Sequence, residues 1–237
     1  MPLDERDQLP AEAGLAEPAA ASAPAAEFVI APALQMLADQ TSAAAESIRA
    51  LRTNLIAKHL HDGRRALAIC SPTDSSGCSF LAANLAAAMA QAGVNTLLVD
   101  GNLRRPAIAD YIVPSIAVPG LSDLLIDPAR PLGSVVQYVQ PSLSVLYAGD
   151  PASAAFEQLG GSRFKDLVGL CLRDYDLTII DTPPSSLFAD ARRIASVVRY
   201  AIVVACRGRT YLRDVRTLVG ELEADKAQAI GTYLNDY

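Results

Sequence analysis

The sequence lacks an apolar run long enough to cross a bilayer, and it lacks an excess of positive charge. Its longest apolar runs, such as residues 201–206 (AIVVAC), have the length of a strand, whereas a membrane helix needs about 20 residues. Residues 1–27 hold six acidic residues and one basic residue, and the remaining chain is nearly neutral, with 20 acidic and 19 basic residues. These absences predict a chain that does not itself span a membrane, and they argue against a general nucleic-acid-binding surface.

Paired cysteines and a secretory signal are also missing. The four cysteines, Cys70, Cys78, Cys171 and Cys206, form no Cys-x-x-Cys motif, and residues 1–10 are acidic without the apolar segment of a signal peptide. We therefore expect reduced thiols and a cytoplasmic protein. Hydrophobic residues nevertheless make up 51% of the 237 positions, against 19% that are charged. This composition supplies a core and excludes disorder of the whole chain.

The N-terminal region differs in composition from the rest of the chain. Residues 10–26 are rich in Ala, Pro and Glu and offer almost no large side chain to bury. Folding could not recover the conformational entropy of ordering such a segment. We predict a flexible tail over residues 1–40 and a single domain over residues 41–237.

Short apolar runs alternate with helical patterns through the predicted domain. A helix is predicted over about 42–60, where Ile48, Leu51 and Leu55 recur at helical spacing. Further helices are predicted near 79–92, 162–173, 187–197 and 210–224, and strands at 66–70, 96–100, 143–149, 177–181, 200–206 and 229–234. Strands that are apolar on both faces are typical of a mostly parallel sheet covered by helices on both faces. The predicted fold class is α/β, with ligands bound beyond the carboxyl ends of the strands.

The loop after the first of these strands carries half of a phosphate-loop pattern. Gly77 and Ser79 stand where the pattern GxxxxGK[ST] requires them, whereas Pro72 replaces the first glycine and Cys78 replaces the lysine. From the loop alone, nucleotide binding and an ordinary Ser/Gly turn that caps a helix remain equally open. If the loop binds phosphate, the contacting residues are Ser75, Ser76, Gly77, Cys78, Ser79 and Phe80.

Two aspartates at the ends of predicted strands favour the phosphate site. Asp100 closes the strand at 96–100, and Asp181 closes the strand at 177–181. An acid at the end of a buried strand is costly unless it faces a metal, a donor or water. Either aspartate alone would more often be a helix or turn cap. Beside the segment 77–79, the pair predicts a Mg-nucleotide site.

Four segments resemble, in this order along the chain, motifs of the bacterial tyrosine kinases, which act with polysaccharide co-polymerases to control capsule and exopolysaccharide chain length. Residues 46–55, 71–79, 97–106 and 179–184 resemble the family's ExxRxxR, Walker A, Walker A′ and Walker B segments. The resemblance implies a P-loop NTPase fold that binds ATP and Mg²⁺. It also implies self-association and a membrane co-polymerase partner on a separate chain, which would hold this protein at the inner face of the membrane.

The resemblance also implies roles for individual residues. Ser79, Asp100 and Asp181 would surround the metal, and the two aspartates would be catalytic. Tyr237 would be a phosphoacceptor, since it ends the chain where the family has clustered tyrosines. An inter-subunit contact would be formed by Glu46, Arg49 and Arg52, for which the alternative interpretation is a solvated charged helix face.

Three departures from the family pattern keep the activity open. Cys78 removes the charge of the Walker lysine, Asn102 stands where a second acid is expected, and the tyrosine cluster is missing. Arg207 and Arg209 could supply part of the missing charge, although a solvated pair is the more common outcome. The alternatives are a tyrosine kinase, a catalytically inactive nucleotide sensor in the same system, and a ParA/MinD-like ATPase.

Further expectations concern Cys78, Asp190 and the two histidines. A cysteine at a helix start can have a lowered pKa, so we expect the Cys78 thiol to ionise readily. Asp190 matches a family position but equally fits a first-turn acid on a helix. His59 and His61 have no partners at ligand spacing, and we assign them no metal role.

Overall fold

The structure is a computed structural model, and it describes residues 26–150 and 153–236. The strands are β1 Phe28–Ile30, β2 Ala66–Cys70, β3 Thr96–Asp100, β4 Ile112–Pro114, β5 Gln137–Gln140, β6 Leu143–Leu146, β7 Leu177–Asp181, β8 Tyr200–Cys206 and β9 Gln228–Asn235. The α-helices are α1 Gln35–Ala38, α2 Ala43–Leu55, α3 Cys78–Gln91, α4 Leu121–Ile126, α5 Ser153–Gln158, α6 Ser162–Asp174, α7 Asp190–Val198 and α8 Leu212–Ala224. A π-helical turn, Ile56–Leu60, extends α2.

Seven of the strands form one sheet in the order β5-β6-β3-β7-β2-β8-β9. All neighbouring strands run parallel except β5, which pairs antiparallel with β6. Every residue of β2, β3 and β7 is buried, since these strands lie at the centre and are apolar on both faces. The carboxyl ends of these three strands therefore meet at one edge of the sheet.

Helices cover both faces of the sheet. On one face α2 and α3 bury Ile48, Leu55 and the alanine-rich body of α3. On the other face α6, α7 and α8 bury residues that include Phe164, Ile194 and Leu218. The predicted α/β class, with a mostly parallel sheet between two helical layers, is confirmed.

Helix α3 explains how the phosphate-loop edge is held. Ten consecutive residues of this helix, 81–90, are buried, and six of them are alanines that allow close approach to the sheet. The amide of Asn84 donates to the carbonyls of Ala33 (3.1 Å) and Phe80 (2.9 Å) and accepts from the backbone N–H of Met36 (3.0 Å). These bonds tie the segment around α1 to the helix that follows the loop.

The segment 28–38 is part of the folded unit, although the sequence places it in the tail. Strand β1 pairs antiparallel with β4 in a separate two-stranded sheet. Leu34 and Met36 are fully buried against the core. Residues 1–25 lie outside the described residues, so the flexible tail remains a prediction for them, and the boundary at residue 40 falls later than the first packed element.

Several predicted element boundaries shift for identifiable reasons. The helix expected over 42–60 begins after Ser42, whose hydroxyl oxygen accepts from the backbone N–H of Ala45 (3.1 Å), and it changes to π geometry at Ile56. The strand expected over 143–149 ends at Leu146, because the carbonyls of the next two residues accept from the first turn of α4. Within the described ranges, no helix is long and apolar enough to cross a membrane.

Candidate functional site

A cavity of about 410 Å³ opens at the carboxyl edge of the sheet, in front of β2, β3 and β7. All six predicted loop residues, Ser75 to Phe80, line it, together with Asn102 and Arg105 from the loop after β3. Asp110 and Asp74 also line it, and the sequence analysis assigned neither a role. Asp100 and Asp181 do not line the cavity, because both lie buried behind it.

The phosphate loop has the backbone shape that an anion requires. Ser75 and Gly77 both have positive φ, at 54° and 92°, so the chain turns sharply before α3 begins. Within the described chain, no hydrogen bond occupies the backbone N–H groups of Ser76, Gly77, Cys78 and Ser79. Such consecutive N–H groups at a helix N-terminus form a concave donor surface for a phosphate group.

Side chains around the loop hold this shape. The hydroxyl of Thr73 lies 2.6 Å from that of Ser76 and 2.7 Å from that of Thr210, which follows β8. Ser76 Oγ also donates to the carbonyl of Thr73 (2.7 Å). The loop is therefore fixed from within and from the neighbouring strand, which lowers the entropic cost of ordering it around a ligand.

Asn235, the last residue of β9, is a site residue that the sequence analysis missed. Its Nδ2 donates to the carbonyl of Ser76 (3.1 Å), and a Cβ at Gly77 would collide with this amide. Its Oδ1 is buried and has no hydrogen-bond partner in the described chain. The signal that identified Asp100 and Asp181, a polar residue at the end of a strand, also applies to Asn235.

Asp181 lies directly beneath the start of α3. Ser79 Oγ donates to its Oδ2 at 2.5 Å, while its Oδ1 is buried without a partner among the described residues. Burial and, second, the negative charge of Asp100 raise the pKa of Asp181 well above its ordinary value. The site thus contains a carboxylate oxygen whose burial is not compensated by any group of the described chain.

Asp100 is occupied by the backbone of the loop that follows it. Its carboxylate accepts from the N–H groups of Asn102 (3.2 Å), Ala107 (3.0 Å) and Ile108 (3.0 Å). Burial raises the pKa of Asp100 to about 6, although the three N–H groups act in the opposite direction. Asp100 therefore shapes the loop that brings Asn102 and Arg105 to the cavity.

The expectation that the Cys78 thiol ionises readily is wrong. Burial, followed by the nearby charge of Asp181, raises the pKa of Cys78 well above its ordinary value. The positive end of α3 does not outweigh these two effects. Cys78 is a neutral thiol at the position where the family pattern has a lysine.

Arg207 and Arg209 are exposed, in agreement with the solvated alternative, and a different arginine reaches the cavity. Arg207 pairs with Asp236 (3.0 Å), and Arg209 Nη1 lies 3.5 Å from the carbonyl of Ser75, but neither lines the cavity. Arg105 does line it, and its Nη1 lies 2.8 Å from Asp74 Oδ2.

Asp190 anchors a second arginine behind the site. It is buried and accepts from Arg104 Nε at 2.9 Å. The same guanidinium lies 4.0 Å from the ring centre of Phe156 and 5.0 Å from that of Phe188. Asp190 is the first residue of α7, so its charge also lies near the positive end of that helix.

The residues predicted for the subunit contact make bonds within the chain. Arg49 pairs with Glu46 at 3.0 Å, and Arg52 Nη1 lies 3.4 Å from the carbonyl of Ala88. The inter-subunit contact remains a prediction. Tyr237, the predicted phosphoacceptor, lies outside the described residues, whereas Tyr233 is half-buried against the core.

Histidines and acids do not build a separate metal centre in the described ranges. No group of three or more His, Cys, Asp or Glu side chains there could hold a metal ion. His59 lies in the π turn, buried, with Nε2 3.3 Å from the carbonyl of Ala66. Any metal at the cavity would therefore depend on the ligand for much of its coordination.

Comparison with known proteins places this site in a family. No protein-family model matches the chain. The putative tyrosine-protein kinase CapB of Staphylococcus aureus is 31% identical over 194 residues, which cover 82% of this chain and 85% of CapB. The tyrosine-protein kinase YwqD of Bacillus subtilis (strain 168) is 28% identical over 192 residues, which cover 80% of each chain.

Solved structures agree with these relatives. The kinase domain of the Escherichia coli tyrosine kinase ETK has a TM-score of 0.80 and 28% identity, covering 85% of this chain and 79% of that one. The cell division ATPase MinD of Pyrococcus furiosus, at 21% identity and a TM-score of 0.63 over 73% of each chain, shares the fold alone. The fold is that of the P-loop NTPases, and the chain belongs to the family of bacterial tyrosine-protein kinases.

Proposed function

We propose that this chain binds Mg-ATP in the cavity and transfers the terminal phosphoryl group to a tyrosine hydroxyl, as a component of capsule or exopolysaccharide synthesis. The observation that carries the proposal is the row of four unoccupied N–H groups at Ser76 to Ser79, directly above the Ser79–Asp181 hydrogen bond. The N–H groups can donate hydrogen bonds to a phosphate group. The Ser79 hydroxyl and the Asp181 carboxylate beside them are oxygen ligands of the kind that a hard cation prefers.

The residues present fit Mg²⁺. Asp181 Oδ1 is a buried oxygen with no partner in the described chain, and Ser79 Oγ lies next to the other carboxylate oxygen. A buried, uncompensated carboxylate is costly, and a cation bound through it or close to it removes that cost. Ser79 and Asp181 would hold the ion together with phosphate oxygens. Bound Mg²⁺ supplies positive charge to neutralise the phosphate groups during transfer.

The chain's own residues supply binding and orientation. The loop N–H groups and the N-terminus of α3 face the phosphates, and Thr73, Ser76 and Thr210 hold the loop rigid. Asn235 holds the loop from β9 through the hydrogen bond from its Nδ2 to the carbonyl of Ser76. Phosphoryl transfer depends mainly on positioning and electrostatic stabilisation, which is the chemistry that such a site provides.

A nucleotide sensor that transfers nothing is the second candidate function, and Asp100 favours it. A base must accept a proton from the attacking hydroxyl, but three backbone N–H groups already occupy the Asp100 carboxylate. Asn102 cannot take over this role, because an amide is not basic. In this case ATP would change the assembly state of the protein without phosphorylating it.

Calorimetry and a phosphorylation assay separate the candidates. We expect Mg-dependent binding of ATP and ADP by the natural protein, and binding weaker by at least about tenfold in Asp181→Asn, which corresponds to about 1.4 kcal/mol. Label from [γ-³²P]ATP that becomes phosphotyrosine supports the kinase, whereas binding without transfer supports the sensor. Absence of binding at millimolar nucleotide, with the variant indistinguishable from the natural protein, contradicts both.

The cellular role proposed here is the control of polysaccharide chain length and export together with a membrane co-polymerase. Its support is the membership of the family and the names of relatives such as CapB. The partner would hold the chain at the inner face of the membrane. Co-fractionation with membranes only in cells that contain the co-polymerase is the expected result, and equal fractionation without it contradicts the proposal.

Self-association through α2 is also proposed. Arg49 is half-buried and its partner Glu46 is largely exposed, so their charges can meet complementary charges on a second copy. We expect Arg49→Glu to shift the protein towards monomers in sedimentation with ATP at moderate salt. An unchanged oligomer would assign this helix face to solvent.

A further inference from the structure

The cavity contains a positive charge at an unexpected position. Among the described residues that line it, Arg105 is the one basic residue, while Asp74 and Asp110 are acidic. Cys78, which lines the cavity at the lysine position, brings no positive charge, because a thiol is not a cation in either protonation state. A phosphate chain in this cavity therefore meets a single guanidinium and two carboxylates. Without the guanidinium, the charged side chains that line the described cavity would all be acidic, which would weaken the binding of a phosphate chain.

We propose that Arg105 replaces the lysine missing at position 78 and makes the site select nucleoside di- and triphosphates over monophosphates. The inference rests on the proposed nucleotide binding and assigns its phosphate specificity. Arg105 presents a planar guanidinium that can bind two phosphate oxygens at once, which a single ammonium group cannot do with the same geometry.

The position of Arg105 supports this role. Its Nη1 lies 2.8 Å from Oδ2 of Asp74, a residue of the phosphate loop itself. The other oxygen of Asp74 accepts from the N–H of Ser75 (2.9 Å), so the carboxylate occupies the outer rim of the loop. The guanidinium thus lines the same cavity as the loop residues whose N–H groups have no acceptor in the described chain.

The ion pair can be exchanged for phosphate. The side chains of Arg105 and Asp74 are 66% and 45% exposed, and an ion pair this exposed contributes little to stability. A phosphate group carries more negative charge than the carboxylate and stands beside four N–H donors. Arg105 can therefore leave Asp74 when a phosphate chain enters, at little cost to the fold.

The backbone of Arg105 is fixed by the second departure from the family pattern. Its N–H donates to Asn102 Oδ1 at 3.1 Å, and Asp100 pins the surrounding loop through three backbone bonds. An acid at position 102 would place a further negative charge beside Arg105. The two departures compensate each other, because cysteine for lysine removes one positive charge and asparagine for aspartate removes one negative charge.

A double-mutant cycle tests this assignment by calorimetry with Mg-ATP, Mg-ADP and AMP. The four proteins are the natural chain, Arg105→Ala, Cys78→Lys and the double variant. We expect Arg105→Ala to weaken ATP and ADP binding by about tenfold and AMP binding by less than about twofold. Cys78→Lys should tighten ATP binding more in the Arg105→Ala background than in the natural chain, so that the double variant recovers the natural affinity.

Arg173 provides a matched control. It is 69% exposed and pairs with Asp174, 43% exposed, at 2.7 Å, at the end of α6 and outside the cavity. Arg173→Ala should leave all three affinities unchanged, whereas Arg105→Lys, which keeps the charge but loses the planar two-oxygen geometry, should bind ATP more weakly than the natural chain and more tightly than Arg105→Ala. Thermal unfolding of each variant verifies that the fold is intact.

The outcomes separate this inference from the proposed function. If the natural chain binds Mg-ATP and Arg105→Ala binds it equally well, the role of Arg105 is overturned and nucleotide binding stands. If the effects of Cys78→Lys and Arg105→Ala are strictly additive, Arg105 does not replace the lysine. If the natural chain binds no nucleotide, both proposals fail.

Discussion

Two aspartates lie side by side at the ends of β3 and β7, and they differ in how many hydrogen-bond partners their carboxylates have. Asp100 and Asp181 are register partners on neighbouring parallel strands, and both are buried. The loop after β3 folds back so that three of its N–H groups reach Asp100. The loop after β7 provides less cover, since only the backbone N–H of Thr182 acts on Asp181 and one carboxylate oxygen of Asp181 has no partner among the described residues.

The difference shows that position at a strand end does not determine the role of a carboxylate. Asp100 is used by the fold, which needs its acceptors to close the loop that carries Asn102 and Arg105. Asp181 keeps one buried carboxylate oxygen without a partner in the described chain, and the proposed function assigns this oxygen to a ligand. Buried polar groups without partners are rare in native proteins, so such a group indicates where a ligand completes the structure.

The largest expected effect is on the fold, through Asp100. Replacing it in Asp100→Ala leaves three backbone N–H groups without their acceptor, and we expect the free energy of unfolding to fall by about 3 kcal/mol or more. Relief of a buried charge offsets part of this loss. Urea denaturation at pH 7 measures it. A loss below about 1 kcal/mol would mean that Asp100 does not organise its loop.

Asp181 should show the opposite pattern. In Asp181→Asn the Ser79 hydrogen bond can persist while the buried charge is removed, so we expect unchanged or increased stability without nucleotide. Mg-dependent binding should weaken, as described for the calorimetric test above. Urea denaturation with and without Mg-ATP shows both effects in one experiment. A variant that is much less stable yet binds ATP normally would reverse the roles assigned to the two aspartates.

The sequence predicts the central fold more fully than these roles. Strands β2, β3 and β7 are predictable because their residues are apolar on both faces, and this pattern suits only a covered parallel sheet. The fold of segment 28–38 is not predictable in this way, because hydrogen bonds with the side chain of Asn84, 48 and 51 residues away in the chain, hold it. Periodicity within a short segment contains no information about such distant acceptors and donors.

The candidate site likewise has features that the sequence predicts and features that it does not. The sequence predicts that residues 75–80 lie near the ends of β3 and β7, because the carboxyl ends of parallel strands meet at one edge of the sheet. The sequence does not show which aspartate the backbone covers, because this depends on how the loop 101–108 folds. Nor does it show that burial outweighs the helix dipole at Cys78, or that Arg105 reaches the cavity and Arg207 does not.

A smaller effect is expected in the pH dependence of stability, which reports the raised pKa values of the two carboxyl groups. Both pKa values are raised in the fold, that of Asp100 to about 6. A raised pKa stabilises the fold relative to an unperturbed carboxyl below the ordinary value near 4, and this advantage is lost as the pH rises through the folded-state pKa. The natural protein should therefore lose stability relative to Asp181→Asn as the pH rises above about 4.

We expect this difference to be smallest near pH 4 and to widen as the pH rises, because the buried carboxyl then has to ionise. Urea denaturation of both proteins at five pH values measures it. The comparison of the natural protein with Asp181→Asn cancels the titration of acids that do not interact with Asp181, and the difference therefore reports Asp181 together with Asp100. A difference that grows towards low pH would show that the pKa of Asp181 is lowered in the fold.

The smallest expected effect uses Cys78 as a probe of which aspartate is charged near the loop. The charge of Asp181 raises the pKa of the Cys78 thiol, second to burial, and Asp100 does not act on it. Removing the charge in Asp181→Asn should therefore increase the thiolate fraction and speed alkylation of Cys78 by iodoacetamide severalfold at pH 8, on the order of threefold for each half unit of pKa. Peptide mapping by mass spectrometry distinguishes Cys78 from the buried Cys70, Cys171 and Cys206.

Asp100→Asn is the matched control, because it removes a charge from the neighbouring strand without removing the one that acts on the thiol. Equal acceleration in both variants would mean that general loosening of the edge, rather than the charge of Asp181, controls the thiol, and the contrast between the two aspartates would lose its electrostatic basis.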